Sequence, residues 1–213
     1  VGQRPLAVLL PQGRQHVGDQ AGRPQRLADG VVEVAGQALS LFLASEVMLF
    51  GALFASYILI RTGAPSWPRG DTILNVPLAT FNTLVLISSS VTMVMAWASL
   101  MRNRFGTFRI YMGGTILLGL VFLIVKYFEY SHHLSLGEYP RTNNFLAIYY
   151  TLTGLHMLHV FGGMVVNAYF WGPGAKLWKT NPVWFTNRVE HSGLFWHFVD
   201  LVWIFLFPTL YLL

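Results

Sequence analysis

VEHSGLFWHFVDLVWIFLFPTLYLL, residues 189–213, is an apolar run long enough to cross a bilayer, for which about 20 residues suffice. Within it stand His197 and Asp200, flanked by Trp196 and Trp203. Such polar groups are expensive in hydrocarbon, so they need partners there and mark a place where function is to be sought. Four more stretches read the same way, at 34–60, 77–100, 110–130 and 145–171. Each is continuous, without the alternating pattern of a membrane β-barrel, so helices satisfy the backbone. The fold class is all-α: an integral membrane bundle of five transmembrane helices.

Composition agrees. The chain is 54% apolar and 11% charged, where soluble domains carry about 25% charged residues; mean hydropathy is +0.50. The formal charge of +5 raises nucleic acid as a partner. The basic residues are scattered between apolar runs and form no patch, so no nucleic-acid partner is expected. They sort by loop instead. Arg4, Arg14, Arg23, Arg26, Arg102, Arg104, Arg109, Lys176, Lys179 and Arg188 fall on one side, against Arg61, Arg69 and Arg141 on the other. Basic loops stay cytoplasmic, which puts the N-terminus inside and the C-terminus outside. Residues 1–33, rich in Gly, Pro, Gln and Arg, read as an irregular cytoplasmic arm, and 34–213 as the five-helix domain. The apolar run at 6–10 is too short for a signal-peptide core. The absence of cysteine removes disulfides and thiolate metal sites.

Glu46 lies about twelve residues into the first stretch, hence near mid-membrane. A carboxyl there is held neutral unless a cation or several donors face it. Hydrogen bonding across helices, a lipid head-group contact and a proton relay are its possible roles. His156 and His159 share one face of the fourth stretch, as His197 and Asp200 do of the fifth, with Glu190 seven residues before His197. His156 and His197 reach similar depths in antiparallel helices, so a bis-histidine haem stands beside the reading in which each imidazole bonds a neighbouring helix. Glu129 and His132 have the Glu-x-x-His spacing of di-iron bundles, but two such motifs are needed. Lys126 and Glu129, three apart, suit a local ion pair near the outer surface. His132 and His133 open an outer loop and are expected to be solvated. Trp67, Trp171, Trp178 and Trp184 suit interfacial anchoring.

The strings LASEVMLF (43–50), NVPL (75–78) followed by Asn82-Thr83, TGLHMLHV (153–160), and Glu190 followed by WHFVDLVW (196–203) resemble subunit III of cytochrome c oxidase. The order and spacing hold from about residue 39 onward; the related ubiquinol oxidase subunit is the nearest alternative. The resemblance implies a respiratory haem-copper oxidase whose haem and copper lie in partner subunits. This chain would then carry no catalytic or metal-ligating residue, bind phospholipid in a cleft, contact subunit I directly, and stand with subunit II and other respiratory chains. It would support proton uptake and durability. Glu46 matches the family's carbodiimide-reactive carboxyl; His156, His159, Glu190, His197, Asp200 and Trp203 match packing and polar-network residues. Longer members have seven helices, and these five resemble the last five. The location implied is an energy-transducing membrane, the bacterial cytoplasmic membrane. A stand-alone b-type membrane cytochrome is the competing reading.

Overall fold

The structure is a computed structural model that describes residues 13–68 and 70–212. The chain divides into two compact units, 1–40 and 41–213. In the first, residues 1–12 of the expected irregular arm lie outside the described residues. From Gly13 the chain is helical: α1 runs Gly13–Gly63. Gly and Pro predict an irregular arm, but from Gly13 onward it is helical, as the Arg, Gln, Leu and Ala between its glycines are good helix formers.

The second unit holds α2 (Gly70–Ile73), α3 (Val76–Met101), α4 (Phe105–Ser135), α5 (Asn144–Trp171), a 3-10 turn (Pro173–Lys176), α6 (Leu177–Thr180), α7 (Pro182–Phe207) and a terminal π turn (Pro208–Leu212). Five helices are long and apolar enough to cross a membrane, at 33–63, 76–101, 105–135, 144–180 and 182–212. Each contains an expected stretch except for its last residue in the fifth, and most run beyond it because capping turns extend the helices past their apolar cores. Asn75, Asn143 and Asn181 accept from Leu78 N–H (3.1 Å), Leu146 N–H (2.7 Å) and Trp184 N–H (3.1 Å), capping α3, α5 and α7. Between α3 and α4, Asn103 takes a left-handed φ of 56°, which asparagine tolerates better than most residues. Arg104 N–H reaches back to Ser99 O (2.9 Å), so the two helices turn back on each other within three residues.

α3 packs on α4 and α7, and α5 packs on the same two, closing a four-helix ring. Residues 41–63 of α1 lie against α5 and α7: Phe42 meets Phe195 and Phe50 meets Phe198 at ring distances of 5.9 and 6.4 Å. Tyr57 donates to Thr209 O (2.9 Å). α1 is nevertheless the least buried span, with Leu41, Val47, Met48 and Leu59 exposed.

With lipid around the bundle, helix association depends on close packing rather than on expelling water, which favours small residues at crossings. Trp196 of α7 shows how. Its ring lies so close to Gly119 of α4 and Gly163 of α5 that a Cβ on either would stand 2.9 and 3.0 Å from it, and its Nε1 donates to Ser89 Oγ of α3 (3.1 Å). One indole thereby touches all three other ring helices. A Cβ on Gly163 would stand 3.0 Å from Trp196 and 3.1 Å from Phe195, whereas one on Gly162 meets nothing within 4 Å. Gly163→Ala is therefore expected to cost about 1–3 kcal/mol by overpacking, and Gly162→Ala to be neutral or mildly stabilising. Thermal unfolding in detergent compares the two; equal melting temperatures would refute the close approach at Gly163.

Candidate functional site

Among the described residues, the polar side chains marked by the sequence fall in three groupings within the spans. The first lies toward the bundle end that holds the 136–143 loop and residue 212. There Lys126, midway along the last turns of α4, is fully buried. Its Nζ donates to Glu129 Oε2 (3.0 Å) and to the Tyr211 hydroxyl. Glu129 Oε1 accepts from Tyr149 OH (2.8 Å) and Tyr211 OH (2.6 Å). The ammonium also faces the rings of Trp203, Tyr211 and Tyr149 at 4.8, 5.0 and 5.5 Å, a favourable placement for a desolvated cation. The expected local pair is present, but inside the bundle, not near its surface: hydroxyls from α5 and the π turn satisfy what water would otherwise satisfy. The neighbouring cavity of about 580 Å³, lined by Asn75, Glu129, His132 and His133, brings Glu129 toward the bundle end. His132 is exposed as expected, whereas His133 is buried and pairs with Glu138 (2.5 Å). With Glu129 turned to Lys126 and His132 turned out, the Glu-x-x-His spacing does not converge on one point.

The second grouping joins α1 to α5. Glu46 Oε2 lies 2.9 Å from His159 Nε2, and His159 Nδ1 lies 2.8 Å from Leu155 O. A carbonyl can only accept, so Nδ1 carries a proton. A single proton then lies between Nε2 and Glu46, and the pair has no net charge whichever atom holds it. Both side chains are 13% exposed, at the margin of the bundle and bordered by Phe50 and Phe195. The expectation that Glu46 bonds across helices thus meets a histidine 113 residues away.

The third grouping runs along α7. His197 Nδ1 lies 2.6 Å from Ser90 Oγ of α3, and Glu190 is exposed on the same face. Trp203 Nε1 donates to Thr83 Oγ1 (2.9 Å). His156 departs from the expected hydrogen bonding. Both its ring nitrogens are buried without a partner among the described residues. The ring instead stacks on Trp203 (5.0 Å, 29° between planes) and abuts the edge of Phe122 at 5.6 Å. Asp200 is likewise buried with neither oxygen hydrogen-bonded to a described residue. His156 and His197 point to different surroundings, the one between two aromatic rings and the other at Ser90, so they do not form the facing pair that a bis-histidine haem requires. Among the described residues no three His, Asp or Glu side chains converge as metal ligands.

Tyr149, Tyr211 and Ser90 were not marked by sequence pattern. The signal that could have found the two tyrosines is the need of a charged pair for further hydrogen-bond partners in an apolar span. At the bundle ends Trp171 donates to Arg109 O (2.9 Å) and Arg188 lies over Trp184 (4.5 Å), as interfacial tryptophans do.

A family model described as cytochrome c oxidase subunit III matches residues 30–213. Cytochrome c oxidase subunit 3 of Thermostichus vulcanus is 36% identical over 180 residues, spanning 82% of this chain and 85% of the relative. Cytochrome bo(3) ubiquinol oxidase subunit 3 of Pseudomonas aeruginosa is 32% identical over 177 residues, 81% and 82% of the two chains. A heme-copper oxidase subunit I+III of Aeropyrum pernix is 30% identical over 183 residues, 82% of this chain and 22% of that protein.

Replacing Lys126 by Met would leave the Glu129 carboxylate buried without its cation, which typically costs about 3–5 kcal/mol. The double replacement Lys126→Met with Glu129→Gln removes both charges and is expected to recover most of that loss. Unfolding of the three proteins in detergent gives the cycle; additive losses would show that the two side chains do not act as a pair.

Proposed function

The chain belongs to the cytochrome c oxidase subunit III family and is a multi-pass membrane component of a haem-copper oxidase complex; within that complex we propose that it carries no electrons itself, braces the catalytic subunit I, holds phospholipid and supports proton uptake during aerobic electron transport. The observation that carries this reading is how the polar side chains of the spans are used. Glu46 is engaged by His159, Glu129 by Lys126 and two tyrosines, and His197 by Ser90, so they are spent on joining helices. Haem and copper then belong to partner subunits. A neighbouring subunit I is supported by the relative named for subunits I and III together. A quinol-oxidising complex is the second reading, favoured by the Pseudomonas aeruginosa relative.

Glu46 takes the part of the carbodiimide-reactive carboxyl, open to lipid at the margin of α1 and α5. The chain is oriented with its N-terminal side in the bacterial cytoplasm, on the count of ten basic residues against three. Two chemical labels check these assignments. A hydrophobic carbodiimide, which reacts with the acid form, is expected to modify Glu46 in membranes well before Glu138; equal rates at the two carboxyls would contradict the assignment. In intact cells an impermeant thiol reagent is expected to label Tyr139→Cys and to spare Gly106→Cys; the reverse pattern would invert the topology.

The supporting role itself is tested by removal. Oxidase prepared without this chain is expected to keep its haem and copper spectra, because in this reading the metal ligands all belong to partner subunits. Its turnover is expected to slow at higher pH, where protons are scarce, and to decay during sustained catalysis. Loss of a haem signal would assign this chain a ligand; spectra, pH profile and durability all unchanged would remove the supporting role.

A further inference from the structure

α7 presents two polar side chains outward where the bilayer offers them nothing. Glu190 is exposed and makes no hydrogen bond or ion pair with any described residue. It lines a groove of about 210 Å³ between α3 and α7 with Met93, Trp97, Gly193, Leu194 and His197. His197 Nδ1 is occupied by Ser90, and its other ring nitrogen bonds no described residue. Depth follows from α3, whose 26 residues make a helix of about 39 Å. Centred on a hydrocarbon core of about 30 Å, α3 projects about 5 Å at each end. The groove then lies inside the core, with the Ser90–His197 contact near its middle. The outward face of α7 beyond it is apolar, with Leu201, Ile204 and Phe205 exposed.

Lipid chains neither donate nor accept hydrogen bonds, so a carboxyl and an imidazole aimed at them are a standing cost that a partner removes. A phospholipid does not fit: its phosphate is anionic, like Glu190, and lies beyond the hydrocarbon. A second copy fits poorly, since a two-fold interface on this face sets the same acidic patch against itself. A helix that brings a basic or hydroxyl side chain fits both polar groups, and Gly193 at the groove lets a backbone approach closely. We propose that the α3/α7 groove is the docking surface for a transmembrane helix of another oxidase subunit, which offers a basic or hydroxyl side chain to Glu190 and a hydrogen-bonding side chain to His197. This rests on membership of the oxidase complex and adds which face makes the contact.

The test uses the assembled oxidase in native membranes. A photo-crosslinking amino acid is placed at Leu194, in the groove, or at Leu158, on the exposed face of α5, and adducts are identified by mass. The expected result is an adduct from Leu194 to another subunit and none from Leu158, with the Leu194 yield falling about tenfold or more in Glu190→Leu, as when one partner of a buried polar pair is lost. Adducts from Leu194 to lipid alone, a crosslinked pair of this chain, or subunit adducts from Leu158 instead would overturn the docking face. An undiminished yield in Glu190→Leu would overturn the polar recognition. In each of these cases co-purification with haem-bearing subunits leaves the functional reading intact. Failure to co-purify would sink both.

Discussion

An ammonium group cannot be left alone in hydrocarbon, and the four-helix ring is arranged around meeting that demand for Lys126. Glu129 neutralises it from one turn away, but a carboxylate has more lone pairs than one lysine satisfies, and those remaining draw in Tyr149 of α5 and Tyr211 of the π turn. Trp203 closes the cage, and the same indole stacks on His156. Three helices and the terminal turn are thereby held to one point. A pair of this kind specifies an arrangement more than it adds stability, because two charges brought out of water repay their desolvation only when every acceptor is matched. Here it is matched.

The remaining polar side chains divide by direction. Those facing inward or across a helix seam, Ser89, Thr83, Ser90 and the Glu46–His159 pair, each tie one helix to another. Glu190 faces out and ties nothing among the described residues. Inside the bundle His156 and Asp200 bond no described residue, whereas Glu190 stands at the α3/α7 groove, where the proposed docking helix would meet it.

Helix number was legible because hydrocarbon imposes one length on every span, and the apolar runs are uninterrupted. Helix ends were less so, since the Asn caps add polar turns that no apolar count registers. Among the site residues, i,i+3 spacing disclosed the Lys126–Glu129 pair but not its burial, which depends on hydroxyls far along the chain. The histidines show the same limit. Bonding to a neighbouring helix was one reading for each imidazole, and nothing local to TGLHMLHV distinguishes His159, which does so, from His156, three residues earlier, which bonds no described residue and packs as an aromatic ring. One turn of helix separates a seam from a core, and only the neighbours' positions decide which histidine faces which.

Tyr211 is 85 residues downstream of Lys126, and that separation sets an order of events. A ribosome adding about 5–20 residues per second needs roughly 4–17 s to reach the tyrosine after the lysine is made. Throughout that interval the Lys126–Glu129 pair of α4 stands without the Tyr211 hydroxyl that both side chains bond in the folded bundle. The cage around the ammonium is therefore closed only once α7 and its terminal turn have been made. The last turn of the chain thus completes a polar cage begun in α4.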